Sequence, residues 1–266
     1  VKIVKTLIRV QMIEQPQNPT LPIHGVSRCP SINFFNVDNV QFMKTKPDKY
    51  YDLAIVDPPY GINVAKMAYT QEENRPCKQK NGTTLRIKKL KYKHGDWDKT
   101  PPPQEYWEQL FRVSKNQIIW GIKHYDLKGL GNGLITWNKC VPEGVSFNNY
   151  EHAYCSLLDK EIEFTYMWAG MCQGKSLTEP TTQQGNKQLN EKRIHPTHKP
   201  IRLYRWLISE FAQKGWKLLD TNGGGMSISI AADELNYDLD ICEIDKDYFN
   251  AGIQRYETFK RQQRLF

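Results

Sequence analysis

The apolar run Tyr51-Asp52-Leu53-Ala54-Ile55-Val56 stops at Asp57-Pro58-Pro59-Tyr60-Gly61. A partly β-branched run of this length reads as a buried strand. Two prolines end it at once, because proline has no amide hydrogen for the ladder and holds φ at about −65°. The break leaves a stiff shelf at the carboxyl end of a strand, where open α/β sheets bind their ligands. On that shelf sit a carboxylate, carbonyl oxygens and an aromatic ring. They suit an amino group on a flat base: the carboxylate and a carbonyl accept its hydrogens while the ring covers its face. A strand with a proline turn and a chance acid and tyrosine is the plainer account, so the remaining chain has to decide.

The carboxyl-terminal half carries a second ligand-binding pattern. Gly215 to Asp220 reads as a strand, Thr221-Asn222-Gly223-Gly224-Gly225-Met226-Ser227 as a glycine-rich turn, and Ile228 to Leu235 as a helix. Glycines let backbone approach a ligand without a Cβ in the way, so this trio forms the cofactor end of a doubly wound fold. Tyr237 to Ile244 follows as a strand ending in Glu243, about 20 residues past the turn, the spacing at which a carboxylate meets ribose hydroxyls. Asp245 is placed to cap the last helix, with Phe249, Ile253 and Tyr256 on its buried face.

Between these patterns the elements alternate as an α/β domain requires. Ser31 to Asp38 reads as a short strand ending in an acid, and Val40, Phe42 and Met43 open a helix over the sheet, for which Asp38 serves equally as N-cap. Gln104 to Val113 puts Tyr106, Leu110 and Val113 on one helical face, and Gln117-Ile118-Ile119-Trp120 is a buried strand. Gly133 to Lys139 and His152 to Leu157 are further strands, the second preceded by Glu151. Pro200 suits the first turn of a helix in which Tyr204, Leu207, Ile208 and Phe211 recur at helical spacing. Residues 1 to 30 and 164 to 192 show no sustained period. At 266 residues the chain fits one α/β domain, 1–266, with inserted loops.

The net charge of +8 favours an anionic partner, nucleic acid above all, although a merely basic soluble protein carries the same sign. Much of the excess lies in the polar stretch 62–100, at Lys66, Arg75, Lys78, Lys80, Arg86, Lys88, Lys89, Lys91 and Lys93. Directly after the shelf, that stretch reads as a basic lid contacting DNA, or as a solvated insertion. Six cysteines without a C-x-x-C pair suggest neither zinc nor a disulfide framework, and His195 with His198 lacks a third ligand at recognisable spacing. No apolar run is long enough for a membrane span and the first residues lack a signal-peptide core, so a soluble, cytoplasmic protein is expected.

Asp57-Pro58-Pro59-Tyr60 after a hydrophobic strand resembles the catalytic motif of the amino-group DNA methyltransferases. Arg193-Ile194-His195-Pro196-Thr197-His198-Lys199-Pro200 closely resembles their His-Pro-Thr-x-Lys-Pro motif. The block from Trp97-Asp98 through Arg112 to Gly121 resembles the one that follows their catalytic motif. The order of blocks is similar to the β-type circular arrangement and spans roughly residues 31 to 260. Three departures stand out. Lys123-His124 replace an asparagine and tyrosine, Thr221-Asn222 replace a proline and phenylalanine after Asp220, and Met226 replaces the last glycine of the turn.

The resemblance implies a Rossmann-like methyltransferase fold, a doubly wound and mostly parallel seven-stranded sheet, with S-adenosyl-L-methionine as cofactor. It places catalysis on Asp57, Pro58, Pro59 and Tyr60, and cofactor binding on Asp38, His195, Thr197, Lys199, Asp220, Asn222, Gly223, Gly224 and Glu243. Trp137, Asn138 and Lys139 fall where relatives line the base pocket, and 164–192 falls at the target-recognition region. The implied partner is double-stranded DNA in a prokaryote or its phage, with a homodimer and a partner nuclease left open. The implied reaction is methylation of adenine N6 on a flipped base. Cytosine N4 is the alternative product, and a DNA-binding protein on an inactive methyltransferase scaffold is the alternative of another class.

Overall fold

The structure, a computed structural model, describes residues 29–63, 98–141, 148–169 and 172–263, with the backbone alone at 76–78 and 84–86. The expected N-terminal arm, most of the basic lid and its lysines Lys88, Lys89, Lys91 and Lys93 lie outside these residues. Chain order runs β1 (Ile32–Phe35), α1 (Asn39–Lys44) and β2 (Tyr51–Val56), then the small antiparallel pair β3 (Pro76–Lys78) and β4 (Thr84–Arg86). Next come α2 (Gln104–Val113), β5 (Ser114–Trp120), β6 (Leu134–Asn138), β7 (Tyr150–Cys155) and β8 (Glu161–Thr165). The short pair β9 (Trp168–Ala169) and β10 (Cys172–Gln173) precedes α3 (Ile201–Phe211), β11 (Lys217–Asp220), α4 (Ser227–Glu234), β12 (Asp238–Cys242) and α5 (Lys246–Gln263).

The main sheet has the order β1-β12-β11-β2-β5-β7-β6-β8. Its first five strands are mutually parallel, and β7 alone runs against its neighbours, antiparallel to both β5 and β6. The mostly parallel, doubly wound architecture is the expected one. It holds eight described strands where seven were expected, because β8 adds an edge beside β6, parallel to it.

Period-two alternation along each central strand sends side chains into two cores. Leu53 and Ile55 of β2 join Ile118 and Trp120 of β5 on the face covered by Leu203 and Leu207 of α3 and Ile228 of α4. Ala54 and Val56 join Ile119 on the opposite face, under Met43 of α1 and Tyr106, Trp107 and Leu110 of α2. Strands buried on both faces need apolar side chains at consecutive positions, which is why the run at 53–56 shows no alternation. The carboxyl ends of β1, β2, β11 and β12 lie side by side, joined through pairs such as Phe35 with Cys242, Leu219 with Ala54 and Asp220 with Ile241. Whatever follows these four strands meets at one rim.

Candidate active site

At that rim lies a cavity of about 320 Å³. Asp57, Pro58, Pro59 and Tyr60 line it from β2; Asn222, Gly223 and Gly224 line it from the turn after β11, and Glu243 from the end of β12. Asp38, His195, Thr197 and Lys199 complete the expected set, with Asp220 alone buried below the lining. Residues almost 190 positions apart in sequence therefore share one hollow, because a parallel sheet brings the ends of its strands together.

Glu243 is fixed by backbone: its Oε2 accepts from Gly224 N at 2.7 Å and its Oε1 from Asp245 N at 2.8 Å. Burial raises its carboxyl above the ordinary value. Asp220 accepts from Asn222 N at 2.9 Å, and burial raises it to about 8. Asp38 does cap α1, accepting from Gln41 N at 2.9 Å, and also lines the cavity, so both accounts of it apply. Thr221 and Asn222, which replace a proline and phenylalanine, build a polar floor: Thr221 Oγ1 donates to Asn222 Oδ1 at 2.7 Å and lies 2.7 Å from the Tyr106 hydroxyl. Met226 keeps the left-handed backbone, φ 51°, that a glycine would take up freely, and opens α4 from it.

The expectation that the turn's glycines make room for a ligand is corrected at Gly225. A Cβ there would overlap the imidazole of His198, which is 4 % exposed and bonded through Nε2 to Ser227 Oγ at 2.9 Å. The missing side chain seats the turn on the His-Pro-Thr-His-Lys-Pro stretch. His195 lies close by, its ring edge-on to Tyr248 and its Nδ1 3.0 Å from Thr197 Oγ1, and burial drops its pKa to about 3. Both histidines are neutral packing elements at neutral pH.

Lys199, expected with the cofactor residues, turns the other way. Its Nζ lies 2.6 Å from Asp57 Oδ2, 2.6 Å from Glu151 Oε1 and 3.2 Å from the Tyr60 hydroxyl. Burial lowers a lysine's pKa, but the two carboxylates outweigh it and the ammonium is held above its ordinary value. The Tyr60 hydroxyl itself reaches Asp57 Oδ1 at 2.7 Å and Glu151 Oε1 at 2.6 Å. Glu151 is the residue the sequence did not single out. An acid inside an otherwise aromatic and apolar strand was the available signal, since a charge rarely enters such a strand without a partner.

The shelf is firmly held on its other side. The Tyr125 hydroxyl donates to Pro58 O at 2.7 Å, and the ring of Tyr60 stacks on His124, 4.7 Å between centroids and 12° from parallel. Gly121, at φ 71°, is the residue against which Tyr60 packs, and any Cβ there would overlap the ring. Of the residues expected near a base pocket, Trp137 is a core side chain, 1 % exposed and donating to Tyr166 O at 3.0 Å. Asn138 ends β6, its Oδ1 accepting from Cys140 N at 3.1 Å, and Lys139 reaches Glu151 Oε2 at 3.6 Å. The region 164–192 begins inside β8, with Phe164, Tyr166 and Trp168 buried, and becomes exposed only further along.

No protein-family model matches the chain, and no curated protein matches it in sequence. Solved structures align with it at low identity. M1.HpyAVI, crystallised as a SAM complex, is 16% identical, covers 84% of this chain and 99% of its own, with a TM-score of 0.48. TTHA0409, a DNA modification methylase of Thermus thermophilus complexed with S-adenosyl-L-methionine, is 13% identical over 86% of this chain and 94% of its own, TM-score 0.46. The cytosine-N4-specific PvuII DNA methyltransferase is 11% identical over 87% and 90%, TM-score 0.48.

Proposed function

We propose that the chain is an S-adenosylmethionine-dependent DNA methyltransferase that methylates the N6 amino group of an adenine flipped from a specific duplex site. The observation that carries this reading is the meeting of the Asp57–Tyr60 shelf with the glycine turn and Glu243 in a single cavity. Its volume falls in the range of small-molecule sites, about 300–1,000 Å³. The lining fits a cationic cofactor: Asp38, Asp57, Asp98, Glu243 and Asp245 face one lysine, Lys199, among the described lining residues. Glu243 is the residue to hold the ribose hydroxyls, with Asp38, Asn222, His195 and Thr197 around the remainder.

When bound, the cofactor supplies a methyl group already activated by a positively charged sulfur. The chain's own task is to position a poor nucleophile, whose lone pair is delocalised into the base. Asp57 and Pro58 O accept the two amino hydrogens and draw the nitrogen towards tetrahedral geometry. Each already receives protein donors, but a carbonyl has two lone pairs and a carboxylate about four acceptor positions, so capacity remains. Base flipping brings the amino group within reach, with the lid at 62–100 and the region 164–192 as the elements that contact DNA.

Adenine and cytosine each present one exocyclic nitrogen, so these acceptors do not choose between them. Adenine is proposed because an aspartate opening the motif is commoner in the adenine enzymes that the chain resembles, and a serine in those acting on cytosine N4. Digestion of treated duplex to nucleosides, separated by mass, is expected to yield N6-methyladenine. N4-methylcytosine as sole product rejects the base assignment. Absence of any methylated base, with no calorimetric heat from the cofactor, favours a DNA-binding protein on an inactive scaffold.

A further inference from the structure

Methyl transfer to an exocyclic amine leaves a proton to dispose of, and the cluster beneath the shelf contains two carboxylates. Proton counting separates their roles. The three N–H bonds of the Lys199 ammonium are matched by Asp57 Oδ2, Glu151 Oε1 and the Tyr60 oxygen at 2.6, 2.6 and 3.2 Å. The Tyr60 hydroxyl has one proton, yet its oxygen lies within 2.7 Å of Asp57 Oδ1 and 2.6 Å of Glu151 Oε1. One proton serves one of those contacts. The second is satisfied only when a carboxyl carries a proton of its own and donates it to the tyrosine oxygen. The cluster is thus complete with one of its two carboxyls neutral.

Charge decides which. Glu151 faces two ammonium groups, Lys199 at Oε1 and Lys139 at Oε2, 3.6 Å away, whereas Asp57 faces Lys199 alone. We propose that Glu151 is the permanent anion of the site, holding Lys199 and the Tyr60 hydroxyl in place, and that Asp57 is the carboxylate that takes up the proton released by methylation. The directions of titration agree. Burial, with Glu151 adding to it, raises Asp57 despite Lys199, while for Glu151 the two lysines outweigh burial and bring it to about 2. Two groups pushed apart in this way divide acid and base work between them. The other groups around Asp57 do not compete: Tyr106, Tyr125 and Tyr204 are phenols that burial keeps protonated, and Asp220 is itself raised.

The step rests on the methyltransferase reading and balances as follows. The nitrogen lone pair forms the new N–C bond, the C–S pair remains on sulfur, and nitrogen is left with a positive charge and a surplus hydrogen. An Asp57 oxygen lone pair takes that hydrogen as a proton while the N–H pair returns to nitrogen. The neutral carboxyl then donates to the Tyr60 oxygen, Tyr60 to Glu151, and the network closes. Glu151 is a positioning residue here, since it touches Asp57 only through Tyr60 and Lys199.

The test uses the free full-length protein with carboxyl-¹³C aspartate, read by infrared titration as wild type minus Asp57→Asn. The protonated carboxyl band of Asp57 is expected to persist well above the ordinary aspartate range, and in Glu151→Gln to vanish about one pH unit or more lower, because a like charge has been removed. A band lost near pH 4 in the wild type, or unmoved in a folded Glu151→Gln variant, overturns the proposal. Should that variant not fold, the wild-type titration still decides. Single-turnover transfer at varied pH separates the two levels: its acid limb is expected to follow the Asp57 band, and a wild type that transfers no methyl group defeats the functional reading while the infrared result stands.

Discussion

Tyr60 has its hydroxyl and one ring face committed before any base arrives, the first to Asp57, Glu151 and Lys199, the second to His124. Tyr60→Phe removes the hydroxyl but keeps the ring. Bonds to charged groups contribute about 1.5–3 kcal/mol, so kcat is expected to fall roughly ten- to a hundredfold at unchanged cofactor affinity. Tyr60→Ala adds the loss of a stacking surface, about 1–3 kcal/mol, and steady-state kinetics beside calorimetry resolves the two. Asp220 gives a stability signature. Its ordinary carboxyl titrates at 3.8 and burial raises it to about 8, so between these values the folded chain keeps a proton that the unfolded chain has shed. Its contribution is full below the lower value and is lost as pH rises through the upper one. Thermal melts of Asp220→Asn, which does not titrate, are expected to gain on the wild type from about pH 5 to pH 8, by roughly 4 °C or more. A constant difference between the two would place the proton elsewhere. The expected site residues were legible because each carries a motif, while Glu151 carries none and acquires its role from partners at positions 57, 60 and 199.

At the scale of elements, the sequence was clear where periodicity and punctuation agree. Helix α2 spans Gln104–Val113 as its apolar spacing indicates, with proline before it and a strand directly after. Strand β8 was hidden because Glu161-Ile162-Glu163-Phe164-Thr165 is short, polar on one side and at a sheet edge, a pattern that a loop also shows. Lys199 was grouped with its sequence neighbours on the cofactor side, yet helix α3 begins two residues later and the chain's change of course turns the lysine to the shelf. The glycine turn makes a testable case. Gly225→Ala forces His198 and its Ser227 bond aside, and overpacking of a filled interior costs about 1–3 kcal/mol. Denaturant melts should show that loss. Stability equal to wild type would mean that the turn relaxes without the histidine.

For the whole molecule, the sheet brings together ends of strands that the chain keeps far apart, and the net charge of +8 sets what approaches them. Neutralising Lys88, Lys89, Lys91 and Lys93 is expected to weaken duplex binding and to lower the slope of log affinity against log salt by about 0.9 for each phosphate that the variant no longer neutralises. Cofactor affinity should hold. An unchanged slope would make 62–100 a solvated insertion. The cavity's joining of shelf and glycine turn is tested most directly by transfer of a labelled methyl group from S-adenosylmethionine to duplex DNA, comparing wild type with Asp57→Ala, each first checked for cofactor binding by calorimetry. Label is expected on DNA with the wild type and about 100-fold less or lower with the variant, at equal cofactor affinity. Transfer by Asp57→Ala at the wild-type rate, or none by a wild type that binds the cofactor, would contradict it.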